Sequence, residues 1–370
     1  MRFTCLREDL LTAITAVSRV IPQRHANAAL EGILLHAGKT LQLSGYNMET
    51  GITMEVEGQI SEIGRCVMPS PLFGDIVRRM PEGEEISVQM EDDYKVTIVS
   101  GIVRFQIMAA DAIDYPELPQ INETGACTLE QSQLKRLIDG TLFCISEDVT
   151  KPVHMGCLFE LEADVITLVG LDGFRIAVRR ETLENPVEEP SRFVVSGGGL
   201  REVSKLLKDT QDQVLFQYDD KRIVFNIGGA VVICRQLTGN FLDYKKAIRR
   251  FEDIRLCVNT RALENSVERV RLMTTDTIKN PIRCTFGDGE VEMRTNTTIG
   301  SAKDICSYAG DGKGLQIGFN SRYLMEALKA VEDPEIILEL QSGLTPMIIA
   351  PAEPDSEKFL YMVLPVRLSN

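Results

Sequence analysis

The stretch Val214-Leu215-Phe216-Gln217-Tyr218, turn Asp219-Asp220, Ile223-Val224-Phe225, turn Gly228-Gly229, Val231-Val232-Ile233 decides the fold. Apolar residues recur at every second position, and Asp or Gly pairs break the runs. That is the signature of short antiparallel strands with one buried face. The pattern places Val214, Phe216, Ile223, Phe225, Val231 and Ile233 on that face.

Outward from this stretch the pattern repeats. A trio of alternating runs begins at Ile86 and another at Ile336. Upstream of each trio lies an amphipathic helix, after Pro69, Ser196 and Asn320, and before that a hairpin opening at Gly32, Gly156 and Pro281. Each unit starts with another helix, after Phe3, Thr128 and Val258. Leu10, Leu11, Ile14 and Val17 form one apolar stripe; Leu134, Leu137 and Ile138, then Leu263, Val267 and Val270, form its counterparts. Spacings of three, four and seven put each set on one helical face. Two helices on antiparallel sheet, three times over, is an α+β architecture. Turn formers place the boundaries at 1–121, 122–248 and 249–370. Pro69 and Pro71 suit a helix start, and Asn320 or Ser321 an N-cap. The run Gly197-Gly198-Gly199 predicts a flexible start for the fourth helix.

The chain has 370 residues, 44% hydrophobic and 25% charged, as expected of a globular protein with three ordinary domains. No apolar run reaches the length of a membrane span, and Met1-Arg2-Phe3-Thr4 leads straight into structure, so a cytoplasmic protein is expected. The nine cysteines are scattered and never form Cys-x-x-Cys, which argues for buried free thiols over disulfides or zinc. The net charge of −14 argues against a generic nucleic-acid binder. The six predicted helices, however, carry a net of roughly +4, so sheets and loops hold the acidic excess. Solvated helix faces are one reading. The other is a shared, weakly positive helical surface suited to a polyanion.

Six stretches resemble the bacterial DNA polymerase III beta subunit family, the sliding clamps. They are Met1-Arg2-Phe3-Thr4 with Arg7; Met68-Pro69-Ser70 through Pro81-Glu82-Gly83; Leu171 to Ala177; Gly239 to Tyr244; Ile317-Gly318-Phe319-Asn320 with Tyr323; and Leu364-Pro365-Val366-Arg367-Leu368. In this order on a threefold repeat, the likeness covers essentially the whole chain. It implies three DNA-clamp domains per chain and a head-to-tail homodimeric ring around double-stranded DNA, read without sequence preference. The implied function is that of a processivity factor.

The resemblance also implies a peptide-binding pocket for the replicative polymerase, clamp loader and repair proteins. Its residues would be His154, Gly173, Phe174, Arg175, Ile176, Leu242, Lys246, Asn320, Tyr323, Leu344, Met362, Val363, Leu364, Pro365, Val366 and Arg367. Aliphatic walls would bury Leu or Phe anchors, while Arg175 and Asn320 fix direction. His154 stands where an aliphatic residue is usual, Leu242 where some clamps have proline, and Lys246 where others have arginine. Dimer contacts would come from Phe105 and Ile107 on one side and Leu272 and Met273 on the other, unless these are core residues. Arg24 matches a basic loop residue that reaches DNA, and Arg79, Lys151 and Lys205 join it by placement. Gly197-Gly198-Gly199 replaces a segment that is often basic.

No cofactor is expected. The three glycines lack a following Gly-Lys-Ser/Thr, against nucleotide binding. His154 and Cys157 form the one Cys–His couple in reach, but three residues apart on a strand they face opposite sides. No enzyme is expected. A three-domain protein scaffold that does not encircle DNA is the alternative.

Overall fold

The computed structural model describes residues 1–122, 125–274 and 280–368. The first repeat runs β1 (Arg2–Leu6), α1 (Arg7–Ser18), β2 (Gly32–Ala37), β3 (Leu41–Tyr46), β4 (Thr50–Val56), β5 (Gly58–Glu62), β6 (Gly64–Pro69), α2 (Ser70–Arg78), β7 (Glu85–Met90), β8 (Lys95–Ser100) and β9 (Val103–Met108). The second runs β10 (Gly125–Glu130), α3 (Gln131–Leu142), β11 (Gly156–Glu162), β12 (Val165–Leu171), β13 (Arg175–Thr182), β14 (Ser191–Ser196), α4 (Gly197–Leu206), β15 (Gln213–Tyr218), β16 (Arg222–Ile227) and β17 (Ala230–Arg235). A short helix α5 (Tyr244–Ala247) precedes the third, which has β18 (Ile254–Asn259), α6 (Thr260–Arg271), β19 (Ile282–Thr297), β20 (Gly300–Phe319), α7 (Ser321–Lys329), β21 (Glu335–Leu340), β22 (Met347–Pro351) and β23 (Phe359–Val363). The pattern of helix, hairpin, helix and strand trio is thus present three times. Each first helix is also preceded by a strand, which the sequence reading did not separate from the helix.

The chain forms two compact units, residues 1–134 with 198–236 and residues 135–197 with 237–370. The first unit holds a five-stranded sheet, β5-β1-β7-β8-β9, and an eight-stranded sheet, β10-β15-β16-β17-β4-β3-β2-β6. Helix α1 buries Leu10, Ala13, Ile14 and Val17, and α2 buries Phe73, Ile76 and Val77. Arg7, itself buried, donates from Nη2 to Arg78 O at 2.7 Å and from Nε to Val77 O at 3.3 Å. A guanidinium on the last carbonyls of α2 satisfies orphan acceptors and opposes the negative end of the helix dipole.

Val231 departs from the expected alternation: it is 41% exposed, while Val232 and Cys234 are fully buried. The register explains this. Phe225 pairs with Val232 and Ile223 with Cys234, and cross-strand partners share a face, so Val231 lies opposite with Asn226. The glycine run also differs from expectation, because Gly197-Gly198-Gly199 is the first turn of α4. A Cβ at Gly199 would sit 2.6 Å from Cys234 Sγ, so close packing rather than flexibility excludes a side chain there.

The second unit holds a ten-stranded sheet, β14-β11-β12-β13-β23-β22-β21-β18-β20-β19. Its larger core joins Leu263, Val267 and Val270 of α6 to Leu324, Met325 and Leu328 of α7 and to Ile336, Leu338 and Leu340 of β21. In β19 and β20 the hairpin strands of the earlier repeats have fused into two long ribbons, broken in register near Asp288. Both units obey one rule across repeats. Closing strand β17 adds antiparallel to β4, and closing strand β23 adds antiparallel to β13.

Candidate peptide-binding site and basic residues

The proposed peptide-site residues all fall in the second unit. The β13–β23 ladder brings two groups together, pairing Arg175 with Val363 and Ile176 with Met362. Beyond the ladder, Leu364 N donates to Phe174 O at 2.9 Å and Val366 N to Gly318 O at 2.8 Å. The chain after β23 is therefore pinned between the Asp172–Phe174 turn and the end of β20. The turn needs Gly173, whose φ is +89°. Asp172 fixes it by accepting from Phe174 N at 2.9 Å and Arg175 N at 3.1 Å, an Asx-type turn.

Phe174 is 58% exposed and stacks on Tyr323, with ring centroids 6.0 Å apart and planes at 26°. Leu242, Leu344 and Val366 are likewise exposed. Large apolar side chains left in water are the raw material of a docking surface. Other members are placed differently from the expectation. Ile176, Met362 and Val363 are buried on two faces: Ile176 and Met362, cross-strand partners, pack with Phe241 and Tyr244, while Val363 points to the opposite face and joins the larger core. Asn320 is the N-cap of α7, its side chain accepting from Arg322 N at 2.9 Å. Its amide oxygen thereby satisfies one of the orphan donors of the first turn.

Arg175 is also buried, its side chain 6% exposed. Nε donates to Asp172 at 2.9 Å, Nη2 to Phe143 O at 2.7 Å, and Nη1 to the Glu326 carboxylate. Its guanidinium carbon lies 4.4 Å from the Tyr323 ring centroid and 5.4 Å from that of Phe143. Sequence reasoning missed Glu326 and Phe143. The signal for Glu326 was its place three residues after Tyr323, on the same helical face.

The other flank is set by α5. Asp243 caps it, accepting from Lys246 N and pairing with Lys246 Nζ at 2.8 Å. Tyr244, buried, donates to Glu160 at 2.6 Å, and burial followed by that carboxylate pushes its phenol well above the ordinary value. His154 sits on a 3-10 turn (Pro152–Met155), its ring edge-on to Phe241 at 5.4 Å. Burial and then Lys151 lower its pKa, and Nε2 is buried with no hydrogen-bond partner among the described residues. Cys157 is buried against Thr141, with Sγ 3.6 Å from Oγ1.

Arg24 is exposed on the loop after α1, where His25 N donates to Glu31 at 2.8 Å. Lys151 is exposed as the N-cap of the 3-10 turn bearing His154. Arg79 and Lys205 are exposed at the ends of α2 and α4, but Asp75 lies 3.2 Å from Arg79 and Glu202 2.8 Å from Lys205. Their charge is partly compensated, which weakens any pull on a polyanion. Phe105 is 39% exposed on β9 and Leu272 is 70% exposed after α6; neither is a core residue. Ile107 and Met273 are intermediate. No helix among the described residues is long and apolar enough to cross a membrane.

Helix pairs on antiparallel sheet, repeated three times with closing strands that extend the preceding repeat's sheet, define the DNA-clamp class of protein. Residues 1–119, 128–243 and 245–367 match the N-terminal, central and C-terminal domains of the DNA polymerase III beta subunit. The chain belongs to that family, the sliding clamps that act as processivity factors of a DNA polymerase. It is 28% identical over 378 residues to the beta sliding clamp of Staphylococcus aureus, covering 99% of both chains. The DNA polymerase sliding clamp of Bacillus subtilis superposes with a TM-score of 0.94 at 25% identity, covering 100% of both. The sliding clamp of Bartonella birtlesii gives 0.92 at 28% identity, also covering 100% of both.

Proposed function

We propose that the chain acts in the cytoplasm as a non-catalytic, head-to-tail homodimeric ring around duplex DNA, with domain boundaries near residues 121 and 248. The observation that carries this is the sheet-extension rule. β17 extends the sheet through β4, and β23 extends another through β13. By the same rule β9, the closing strand of the first repeat, should extend a third-repeat strand equivalent to β4. That equivalent is the 300–307 segment of β20, which among the described residues pairs only with β19. β9 is itself an end strand of its sheet, carrying Phe105 and Ile107. Two free and complementary edges on one chain make a heterologous contact, and two copies can close it.

Arg24 and Lys151 would reach DNA phosphates from their loops, with Arg79 and Lys205 in a weaker, partly neutralised role. Such contacts carry no sequence information, so the ring slides and topology retains it. The exposed Phe174, Leu242, Leu344 and Val366 would take short linear motifs of the polymerase, clamp loader and repair proteins.

The test is retention on nicked circular plasmid, loaded with matching clamp loader and ATP, before and after linearisation. Co-elution with the circle and loss on cutting is expected. Binding indifferent to DNA ends would favour the scaffold alternative.

A further inference from the structure

We propose that Glu326 is a positioning residue for the peptide site, holding the Arg175 guanidinium beneath Tyr323 so that the aromatic wall is set before a peptide arrives. This rests on the peptide-site reading above and deepens it. Arg175 is the pivot: its charge is buried and must be paired on every side. Asp172 takes Nε and the Phe143 carbonyl takes Nη2, both at hydrogen-bond distance. Asp172 is also committed to the turn, because its other oxygen accepts from Phe174 N and Arg175 N.

The remaining edge of the guanidinium is held by Glu326. Tyr323 and Glu326 lie three apart on α7, on one face. The carboxylate therefore ties the arginine to the helix that carries the ring it supports. With three edges fixed, the plane of the guanidinium is fixed, and its carbon lies 4.4 Å from the Tyr323 centroid. Phe174 then stacks on that ring and is the exposed member. Without Glu326, Arg175 keeps Asp172 but loses its link to α7, and Tyr323 loses a defined support.

The experiment measures binding of a fluorescein-labelled peptide with Leu and Phe anchors to the full-length protein by fluorescence anisotropy. Leu242→Asp, outside the stack, checks the site: it should abolish binding. Glu326→Gln should weaken binding about tenfold, the range of a desolvated cation–π contact. The loss should vanish when Glu326→Gln is added to Tyr323→Leu, since Glu326 acts through that ring. A general structural role would lower affinity by the same factor in both backgrounds.

Wild-type affinity of Glu326→Gln, or an equal loss in the Tyr323→Leu background, overturns the inference while leaving the site reading intact. Wild-type affinity of Leu242→Asp overturns the site reading, and the inference with it. If Glu326→Gln does not fold, Glu326→Asp, which keeps the charge one methylene further back, decides by the same cycle. A loss confined to the Tyr323 background supports the inference, and an unchanged affinity overturns it.

Discussion

Tyr244 and Glu160 are 84 positions apart, and the phenol donates to the carboxylate at 2.6 Å. Glu160 also meets Arg192 at 3.2 Å and Lys245 at 3.3 Å, while its side chain is 17% exposed. This one carboxylate on β11 ties down the short helix α5, and with it the Leu242 and Lys246 flank of the peptide site. α5 has only four residues, too short to hold itself.

Tyr244→Phe should therefore cost about 1.5–3 kcal/mol, the range of a hydrogen bond to a charged partner. Urea denaturation would show a lower midpoint with an unchanged slope. Peptide affinity should fall as well, because the flank loosens. An unaltered midpoint would mean that Arg192 and Lys245 suffice for Glu160 and that the phenol is dispensable.

His154 gives stability a pH dependence. Burial, then Lys151, lowers its folded pKa below the ordinary 6.5. The fold thus keeps the imidazole neutral while the unfolded chain takes up a proton below about pH 6.5. Its contribution is complete above that value and is lost as pH falls through the lowered folded value. Thermal melts from pH 7.5 to 5 should steepen toward acid in the wild type, and His154→Leu should flatten that part of the curve. Parallel curves for the two proteins would rule His154 out as the group responsible.

Gly173→Ala separates strain from sterics. A Cβ there would meet nothing within 4 Å, yet the backbone has φ +89°. The cost should be about 1 kcal/mol from conformation alone. Because the turn aims both Phe174 and Arg175, labelled-peptide binding should weaken although neither side chain is altered. Equal affinity with lower stability would show that the turn relaxes without moving the two residues.

Phe105→Asp places a charge on the free edge of β9, and Leu272→Asp places one on the exposed segment after α6. Each should convert a dimer of this chain to monomers at micromolar concentration, read by sedimentation velocity. Thermal stability should barely change, since both side chains are already partly in water. A dimer that survives both substitutions would require a different pair of edges.

Much of the fold was legible in the sequence because periodicity is local. The stripes of α1, α6 and α7 follow from spacings of three and four, and the strand trios from alternation. Val231 was misplaced because phase across a two-residue turn depends on which strand pairs with which. The glycine run misled for a related reason: Cys234, which fills the space beside Gly199, is 35 positions away.

The candidate site was legible only as a set of names. Sequence by itself determined three repeats, their helix stripes and the likeness to sliding clamps. The tertiary structure decided which site residues face outward and which lie beneath. The β13–β23 ladder put Ile176 and Met362 on one face of the sheet and Val363 on the other, each face covered by its own core, and Asn320 spent its side chain on capping α7. Arg175 became a buried pivot because Glu326, 151 positions away, closes its last free edge. Burial of a charge is settled by partners that only folding brings together, so no local pattern could have disclosed it.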